Sequence, residues 1–250
     1  MTTTVRALLF DVFGTVVDWR GSLVEQLQGL SAKHGVQADW GALADAWRAE
    51  AYEAILPQIA ARTLPWLPLD EVHRLALDEL LPRHGLVGLT EAEVTWINRR
   101  WHQLQPWPDA VPGLHRLRQG YPVCALSNGN VSLLLAMARH AGLPWDMLFG
   151  ADLFQRYKPA AEVYLGACAL LDLQPEQVML CAAHNGDLQA AQELGLATAF
   201  IQRPREKGPA GGEVSRGGWD LEASDLQDLA DQLGMSSMAA EDATRDRAAD

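Results

Sequence analysis

The sequence predicts an α/β fold in which a doubly wound parallel sheet is interrupted, after its first strand, by a block of helices. The apolar run Val5–Asp11 stands alone before a long stretch of helical pattern. From about residue 106 onward, short apolar runs alternate with helical segments, which is typical of a parallel sheet covered by helices on both faces. With 250 residues and 48% hydrophobic content, the chain can bury a substantial core.

The overall charge and the cysteines narrow the class of protein. A net charge of −12 disfavours a general role in binding nucleic acid or anionic membranes. No run approaches membrane-spanning length, and the N-terminus lacks a signal-peptide pattern. Cys124 and Cys181 lie in apolar runs, which suits buried thiols in a reducing compartment. We therefore expect a cytoplasmic protein that binds neither nucleic acid nor membrane.

The first strand and the helical block define the predicted domain division. Val5–Asp11 is followed by the turn residue Gly14 and is predicted to be a buried parallel strand. Farther on, apolar residues recur at helical spacing, and Thr90 with Glu93 forms a capping box before the predicted helix Val94–Leu104. We interpret residues 17–105 as an inserted helical cap, and residues 1–16 with 106–234 as the α/β core domain.

The second half of the chain supplies the rest of the predicted sheet. Each apolar run is bounded by turn residues and followed by a helical segment. The predicted strands are Pro122–Leu126, a short one near Leu148–Ala151, Val178–Ala183 and Thr198–Ile201; the predicted helices are Val131–Ala141, Ala161–Leu171 and Leu188–Leu194. Pro204–Gly218 is rich in Gly and Pro and is predicted to be a loop, whereas residues 235–250 are predicted to be disordered.

Polar residues follow successive predicted strands, at the sheet edge where α/β proteins bind ligands. Asp11 ends the first strand, and Ser127 with Asn128 follows the second. Lys158 precedes Pro159 and a helix, and Asp187 follows the strand Val178–Ala183. Taken singly, each has an ordinary explanation, such as a helix N-cap, a turn residue or an exposed lysine.

Together, in this order, they resemble the four motifs of the haloacid dehalogenase superfamily. The resemblance rests on Asp-x-x-Gly-Thr from Asp11 to Thr15, Ser127-Asn128, Lys158-Pro159 and Asp187, and it covers roughly residues 5–233. It implies a Rossmann-like core with an inserted helical cap. Any one motif alone is weak, but their combination in sequence order is quite specific.

Within the superfamily, the L-2-haloacid dehalogenases provide the nearest resemblance. The related phosphatases usually carry a second aspartate two residues after the nucleophile, where this chain has Phe13. A phenylalanine cannot transfer a proton. A halide leaves as an anion and needs none, so the loss of this acid is compatible with dehalogenation. Arg48, within Ala46-Trp47-Arg48, resembles the halide-binding arginine of the cap, and Tyr164 lies six residues after Lys158, as in the family.

The resemblance implies covalent catalysis by Asp11 on a small anionic organic substrate. Asp11 displaces the halide from a 2-haloacid with inversion, and water positioned by Asp187 then hydrolyses the resulting ester. Lys158 keeps both carboxylates ionised. Thr15 and Ser127 complete the implied catalytic set. No cofactor and no metal are implied, and the family suggests a homodimer.

The resemblance also implies the groups that bind the substrate. Arg48 and Asn128 would hold the halide, while Ser127 and backbone N–H groups near Val12 and Phe13 would hold the substrate carboxylate. The fourth motif departs from the family's Ser-x-Asn-x-x-Asp, because an ungapped match places Ala182, His184 and Asp187 there. Either His184 takes the place of the asparagine, or Asn185 does so through a local shift.

Two other functions fit parts of the pattern. The first is a Mg²⁺-dependent phosphohydrolase of the same superfamily, in which Asp11 and Asp187 supply carboxylates to a hard cation; Phe13 argues against it. The second is a catalytically silent binding protein of the same fold, since fold alone does not decide function. Intact Asp11 and Lys158 argue against that alternative.

Overall fold

The computed structural model describes residues 5–34 and 38–235, and a parallel sheet runs through its centre. The strands are β1 (Ala7–Phe10), β2 (Val17–Asp18), β3 (Gln105–Pro106), β4 (Val123–Ser127), β5 (Met147–Gly150), β6 (Val178–Ala182), β7 (Ala197–Ile201) and β8 (Leu221–Ala223). Six of them form the sheet in the order β5–β4–β1–β6–β7–β8, and every neighbouring pair is parallel. The predicted doubly wound α/β fold is confirmed.

Helices flank this sheet and fill the segment between β1 and β4. They are α1 (Trp19–His34), α2 (Trp40–Ala49), α3 (Leu56–Ala60), α4 (Leu69–Arg83), α5 (Glu91–Asn98), α6 (Ala110–Leu117), α7 (Val131–Ala141), α8 (Ala151–Phe154), α9 (Ala161–Leu170), α10 (Asn185–Glu193) and α11 (Leu226–Gln232). A π-helical segment, Glu50–Ile55, joins α2 to α3, and a 3₁₀ segment, Arg99–Gln103, continues α5. None of the helices in the described ranges is long and apolar enough to cross a membrane.

The position of β1 determines where the polar residues meet. All four residues of β1 are buried, and the strand lies between β4 and β6. Phe10 is in register with Ala125 of β4 and with Cys181 of β6. Because the three strands are parallel, the residues that follow them emerge at one edge of the sheet.

The helical block leaves and rejoins the sheet at a short antiparallel ladder. Val17 pairs with Pro106 and Asp18 with Gln105, so the entry and exit of the block are tied together. The indole N–H of Trp107 donates to the carbonyl of Gly14 at 2.9 Å. These contacts lie next to the predicted boundaries at residues 16 and 105; the division into core and cap domains itself stays a prediction.

An aromatic cluster forms the interior of the helical block beside the sheet. Trp101 stacks on Trp19 with ring centroids 6.2 Å apart, and Trp47 and Phe13 approach it edge to face at 5.6 and 5.8 Å. His73 stacks on Trp101 at 4.1 Å, and burial lowers its pKa to about 3. At neutral pH His73 is therefore uncharged and packs as part of the apolar cluster.

Several predicted elements differ in detail from the structure. The capping box of Thr90 and Glu93 is present, but the helix it starts narrows to a 3₁₀ turn after Asn98. The edge strand β8 was not predicted, because three residues give too short a pattern. Of the predicted disordered tail, residues 236–250 lie outside the described residues.

Candidate active site

The site is centred on the carboxylate of Asp11, directly after the innermost strand. Its side chain is 9% exposed. Oδ1 accepts a hydrogen bond from Lys158 Nζ at 2.9 Å, and Oδ2 accepts one from Thr15 Oγ1 at 2.8 Å. The Thr15 hydroxyl in turn accepts the backbone N–H of Ala183 at 2.9 Å, so its proton is directed to Asp11. Burial would raise the pKa of Asp11, but Lys158 and His184 outweigh it and hold that pKa well below its usual range.

Lys158 joins two carboxylates that belong to different elements. It lies between α8 and α9, and its ammonium group donates to Asp11 and to Asp187, which is in the first turn of α10. The other oxygen of Asp187 accepts the hydroxyl of Tyr164 at 2.5 Å. Burial opposes the charge on Lys158, but the two carboxylates raise its pKa above the ordinary value. The side of the site formed by the sheet and the loops that follow its strands, which we call the core side, therefore holds the Lys158 ammonium group between the carboxyl groups of Asp11 and Asp187.

The structure separates the two candidates for the fourth-motif position. His184 lies against Asp11, with Nδ1 3.0 Å from Oδ2 of that carboxylate. Asn185 is turned the other way: its amide donates to Glu213 Oε2 at 2.8 Å and to the carbonyl of Val214 at 3.0 Å. The difference follows from the helix start, because α10 begins at Asn185 and His184 is its extended N-cap residue. The catalytic role of either residue stays a prediction.

The second ring nitrogen of His184 reveals a residue that the sequence did not predict. Nε2 lies 3.0 Å from Oε1 of Glu206, whose side chain is fully buried. Glu206 belongs to the segment predicted as a loop, and a charged residue in a loop is normally exposed. No periodicity or motif marks it, so only the tertiary contact identifies it.

Arg48 is a charged group on the side of the site formed by the helical block between β1 and β4, which we call the cap side. It lies in the last turn of α2, where its Cζ is 4.0 Å from the ring centroid of Tyr52 and 5.2 Å from that of Trp19. Its Nη1 is buried without a hydrogen-bond partner, and within residues 5–34 and 38–235 no carboxylate forms an ion pair with it. The guanidinium is therefore held by aromatic faces. It also helps to lower the pKa of Glu206, but it makes no direct ion pair with that carboxylate.

The second motif contributes one residue to the site surface and one to the structure behind it. Asn128 accepts the backbone N–H of Lys158 at 2.8 Å through Oδ1, which anchors the lysine loop. Ser127 is fully buried, and its hydroxyl accepts the N–H of Gly129 at 3.1 Å. Ser127 therefore supports the turn after β4 rather than facing the cavity.

These residues enclose one cavity of about 300 Å³. Its lining comprises Asp11, Phe13, Arg48, Tyr52, Asn128, Lys158, Pro159, Tyr164, His184, Gly186 and Asp187. Eight of the predicted site residues thus meet around a single space, with Thr15 behind Asp11. Val12, Ser127 and Asn185 do not line it. Among the described residues, no group of three or more His, Cys, Asp or Glu side chains has an arrangement suited to holding a metal ion.

Comparison with known families agrees with this arrangement. The profile of the haloacid dehalogenase-like hydrolases matches residues 5–195, more than half of the chain. The chain belongs to the haloacid dehalogenase-like hydrolases. The resemblance drawn from Asp11, Ser127, Lys158 and Asp187 is therefore confirmed at the level of the family.

Individual relatives within this family are similar over most of the chain. The crystal structure of an L-2-haloacid dehalogenase has 52% sequence identity and a TM-score of 0.89, over 92% of this chain and 99% of that chain. A defluorinating L-2-haloacid dehalogenase has 45% identity and the same TM-score of 0.89, over 92% of this chain and 95% of that one. The (S)-2-haloacid dehalogenase 1 of a Pseudomonas species is 29% identical over 204 residues, 80% of this chain and 85% of that enzyme.

Proposed function

We propose that this protein hydrolyses the carbon–halogen bond of small L-2-haloacids and releases halide and a 2-hydroxy acid. The observation that carries the proposal is the pairing of an ionised, buried Asp11 with an Arg48 guanidinium that forms no ion pair within residues 5–34 and 38–235, across a cavity of about 300 Å³. A carboxylate nucleophile on one wall and a free cation on the other suit a reaction that expels an anion. The names of the relatives at 52% and 45% identity support the same substrate class.

The first step forms a covalent ester. An oxygen of Asp11 attacks the carbon that bears the halogen, and the carbon–halogen bonding pair leaves with the halide. Arg48 of the helical block and Asn128 after β4 receive the halide, on which negative charge develops in the transition state. The leaving group needs no proton, which agrees with Phe13 at the cavity wall. Back-side attack inverts the configuration of the carbon.

The second step returns the enzyme to its starting state. Water adds to the carboxyl carbon of the Asp11 ester, and Asp187 accepts its proton. Lys158 holds Asp187 in place for this purpose, because its ammonium group donates directly to that carboxylate. The ester bond then breaks, the proton on Asp187 passes to the departing alkoxide, and the second proton of the water is lost from the Asp11 carboxyl group to solvent. The 2-hydroxy acid is released, and Asp11 and Asp187 are carboxylates again.

Phe13 separates this reaction from phosphate ester hydrolysis. A phosphatase of this fold needs an acid near the leaving oxygen, whereas Phe13 packs edge to face on Trp101 of the cap. Both oxygens of Asp11 already accept bonds from Lys158, Thr15 or His184. A divalent cation could bind Asp11 only if it displaced one of these groups, and the positive charge of Lys158 would repel it.

An isotope experiment tests the covalent step. In a single turnover of L-2-chloropropionate in H₂¹⁸O with enzyme in excess, we expect ¹⁸O in the peptide that contains Asp11 and none in the lactate. The Asp11→Asn variant serves as the control and should give neither product nor label. Direct attack of water on the substrate carbon predicts the reverse distribution, with labelled lactate and unlabelled Asp11. That result would exclude Asp11 as the nucleophile.

A further inference from the structure

Glu206 is a fully buried carboxylate beside the candidate site, and its environment is unusual. Oε1 accepts the indole N–H of Trp19 at 3.1 Å and lies 3.0 Å from His184 Nε2, whereas Oε2 has no hydrogen-bond partner. Removing a carboxylate from water is costly unless a cation compensates it. Among the described residues, the one basic group in contact with Glu206 is the ring of His184.

The first motif makes room for this contact. Gly14 has φ of +86°, and a Cβ built on it would lie 2.3 Å from Glu206 Oε1. Any other residue at this position would collide with the carboxylate and would also be strained in its backbone. The glycine of the Asp11–Thr15 segment therefore admits Glu206 to the edge of the site.

His184 is held between two carboxylates, one at each ring nitrogen. Nδ1 lies 3.0 Å from Asp11 Oδ2, and Nε2 lies 3.0 Å from Glu206 Oε1. A neutral imidazole has one N–H donor, so one of these contacts would then place a lone pair against an anion. Both contacts are hydrogen bonds only if the ring carries two protons.

We infer that His184 is a fixed imidazolium that stabilises the oxyanion formed on Asp11 during ester hydrolysis, and that buried Glu206 is a positioning residue that acts through it. The inference rests on the proposed function for its chemical step. The charge state of His184, however, is a property of the resting enzyme and is measured without substrate.

The oxygens of Asp11 differ in the way this role requires. Oδ2 accepts from both Thr15 and His184, while Oδ1 accepts from Lys158 alone. We therefore take Oδ1 as the attacking atom and Oδ2 as the carbonyl oxygen of the ester. When water adds to the ester carbon, the carbonyl π pair moves onto Oδ2, where two preorganised donors receive the charge. The proton of the water goes to Asp187, and His184 keeps both of its own.

The two donors at Oδ2 lower the barrier to ester hydrolysis more than the barrier to ester formation. Alkylation removes the negative charge of Asp11, and addition of water restores it on Oδ2. An imidazolium therefore stabilises the hydrolytic transition state relative to the ester, but it gives no such help to the attack that consumes the carboxylate charge. Glu206, and not Asp11, then supplies the anion that keeps His184 protonated while the ester exists.

Other charged groups face His184 from the surrounding elements. Asp11 and Glu206 touch the ring, and burial opposes its charge, but together the carboxylates raise the pKa of His184 to about 10. The remaining charged residues that line the same cavity or the adjoining one are Arg48, Lys158, Asp187, Asp45, Glu53, Lys207 and Glu213. Because these more distant groups include both acidic and basic residues, their effects on the charge of His184 oppose one another. The two carboxylates in direct contact therefore determine the direction in which its pKa moves.

Nuclear magnetic resonance of the imidazole nitrogens tests the charge state. We expect His184 of the wild-type protein, assigned with the His184→Asn variant, to remain doubly protonated between pH 6 and pH 8.5. Glu206→Gln keeps an oxygen acceptor for Trp19 and removes only the charge, so His184 should titrate at least one pH unit lower. Glu222→Gln, the same change at an exposed position of β8, should leave its titration unchanged. A neutral His184 at pH 7 in the wild-type protein would overturn the inference.

Trapping of the ester tests the role in the reaction. With L-2-chloropropionate, His184→Asn should still form the ester but hydrolyse it about 10²-fold more slowly, so that the adduct on Asp11 accumulates in the intact-protein mass spectrum. Glu206→Gln should show the same accumulation at pH 9 and lose it at low pH, where His184 is recharged. A purely structural role of Glu206 predicts no such recovery. Ester hydrolysis at the wild-type rate in His184→Asn refutes the inference, whereas a wild-type protein that releases no lactate refutes the proposed function.

Discussion

The two walls of the active-site cavity carry cations in opposite circumstances. On the core side, Lys158 donates to the carboxylates of Asp11 and Asp187. The ring of His184 lies between the carboxylates of Asp11 and Glu206. On the cap side, Arg48 lies over aromatic rings and has no carboxylate partner within the described residues. The cations of the core side are thus in direct contact with carboxylates in the resting enzyme. Arg48 interacts with Glu206 only without direct contact, so its guanidinium is left for the substrate or the halide to contact.

The contrast separates stability from function. Compensated buried charges are costly to break, because removal of one partner leaves the other uncompensated. An uncompensated guanidinium contributes little to folding, but it stabilises charge that appears only during the reaction. Substitutions on the core side should therefore affect both folding and turnover, while those on the cap side should affect turnover selectively.

The largest effect is expected for Lys158→Met. The substitution leaves Asp11 and Asp187 buried without their shared cation, so the free energy of unfolding should fall by about 3–5 kcal/mol. Turnover should fall by about 10³-fold, because Asp11 and Asp187 both lose the ammonium group that lies between them. Urea unfolding and halide release measure the two effects. The matched control is Arg74→Met, which also removes a cation bound to two carboxylates but on the surface, where about 1 kcal/mol or less is expected. Equal losses of stability in both variants would contradict the comparison.

The cap side is tested by Arg48→Ala. We expect kcat/KM to fall by about 10²–10³-fold, because the variant lacks the group that receives the halide, with a much smaller change in the free energy of unfolding. Steady-state halide release and urea unfolding give the two quantities. Arg83→Ala, which changes an exposed arginine of α4, should alter neither. Unchanged kcat/KM in Arg48→Ala would show that this guanidinium has no part in the reaction.

A smaller effect is expected in the pH dependence of stability. The pKa of His184 is raised from 6.5 to about 10 by its two carboxylate partners, against the opposing effect of burial. A raised pKa means that the stabilisation is fully present below pH 6.5 and is lost as the pH rises toward 10. The stability advantage of the wild-type protein over His184→Asn should therefore shrink between pH 6 and pH 9, by on the order of 3 kcal/mol.

Urea unfolding at the two pH values measures this difference. His115→Asn is the matched control, since His115 is exposed and its replacement should leave the pH dependence unchanged. An advantage that stays constant from pH 6 to pH 9 would mean that His184 is not charged in the folded protein.

The smallest effect is expected from removal of divalent cations. Lys158 and His184 already place positive charge against both oxygens of Asp11, so no further cation is needed there. Exhaustive EDTA treatment should leave the rate of halide release from L-2-chloropropionate unchanged. A strict requirement for Mg²⁺ would favour the phosphohydrolase alternative and would remove the basis for the comparison of the two walls.

Much of the fold follows from local pattern. The apolar runs that become β1, β4 and β6 each end in, or are followed within two residues by, a polar residue. The parallel arrangement brings those ends together whatever the details of packing. For this reason Asp11 and Asp187 were predicted as neighbours although they are far apart in the chain. Arg48 was predicted only through family resemblance, because an arginine beside an apolar helical stripe has no distinguishing pattern.

Side-chain direction was not predictable from the same pattern. Ser127 and Asn128 are adjacent in sequence, yet Asn128 faces the cavity and Ser127 supports the turn behind it. His184 and Asn185 both fit the fourth motif until the first residue of α10 is known. A shift of one residue at a strand end reverses which side chain meets the site, and sequence patterns locate element ends to no better than a few residues.

The amino-acid sequence alone therefore determined the α/β class and the order of the polar residues at the strand ends. It also determined that Phe13, which cannot transfer a proton, stands two residues after Asp11. These are consequences of local hydrophobic periodicity and residue chemistry. The tertiary structure decided that His184 faces Asp11, that Glu206 lies behind it, and that Arg48 forms no ion pair with a carboxylate in the described part of the chain. Such properties depend on which distant groups share one desolvated space, and the energy of a charge there is determined by its neighbours in space rather than in sequence.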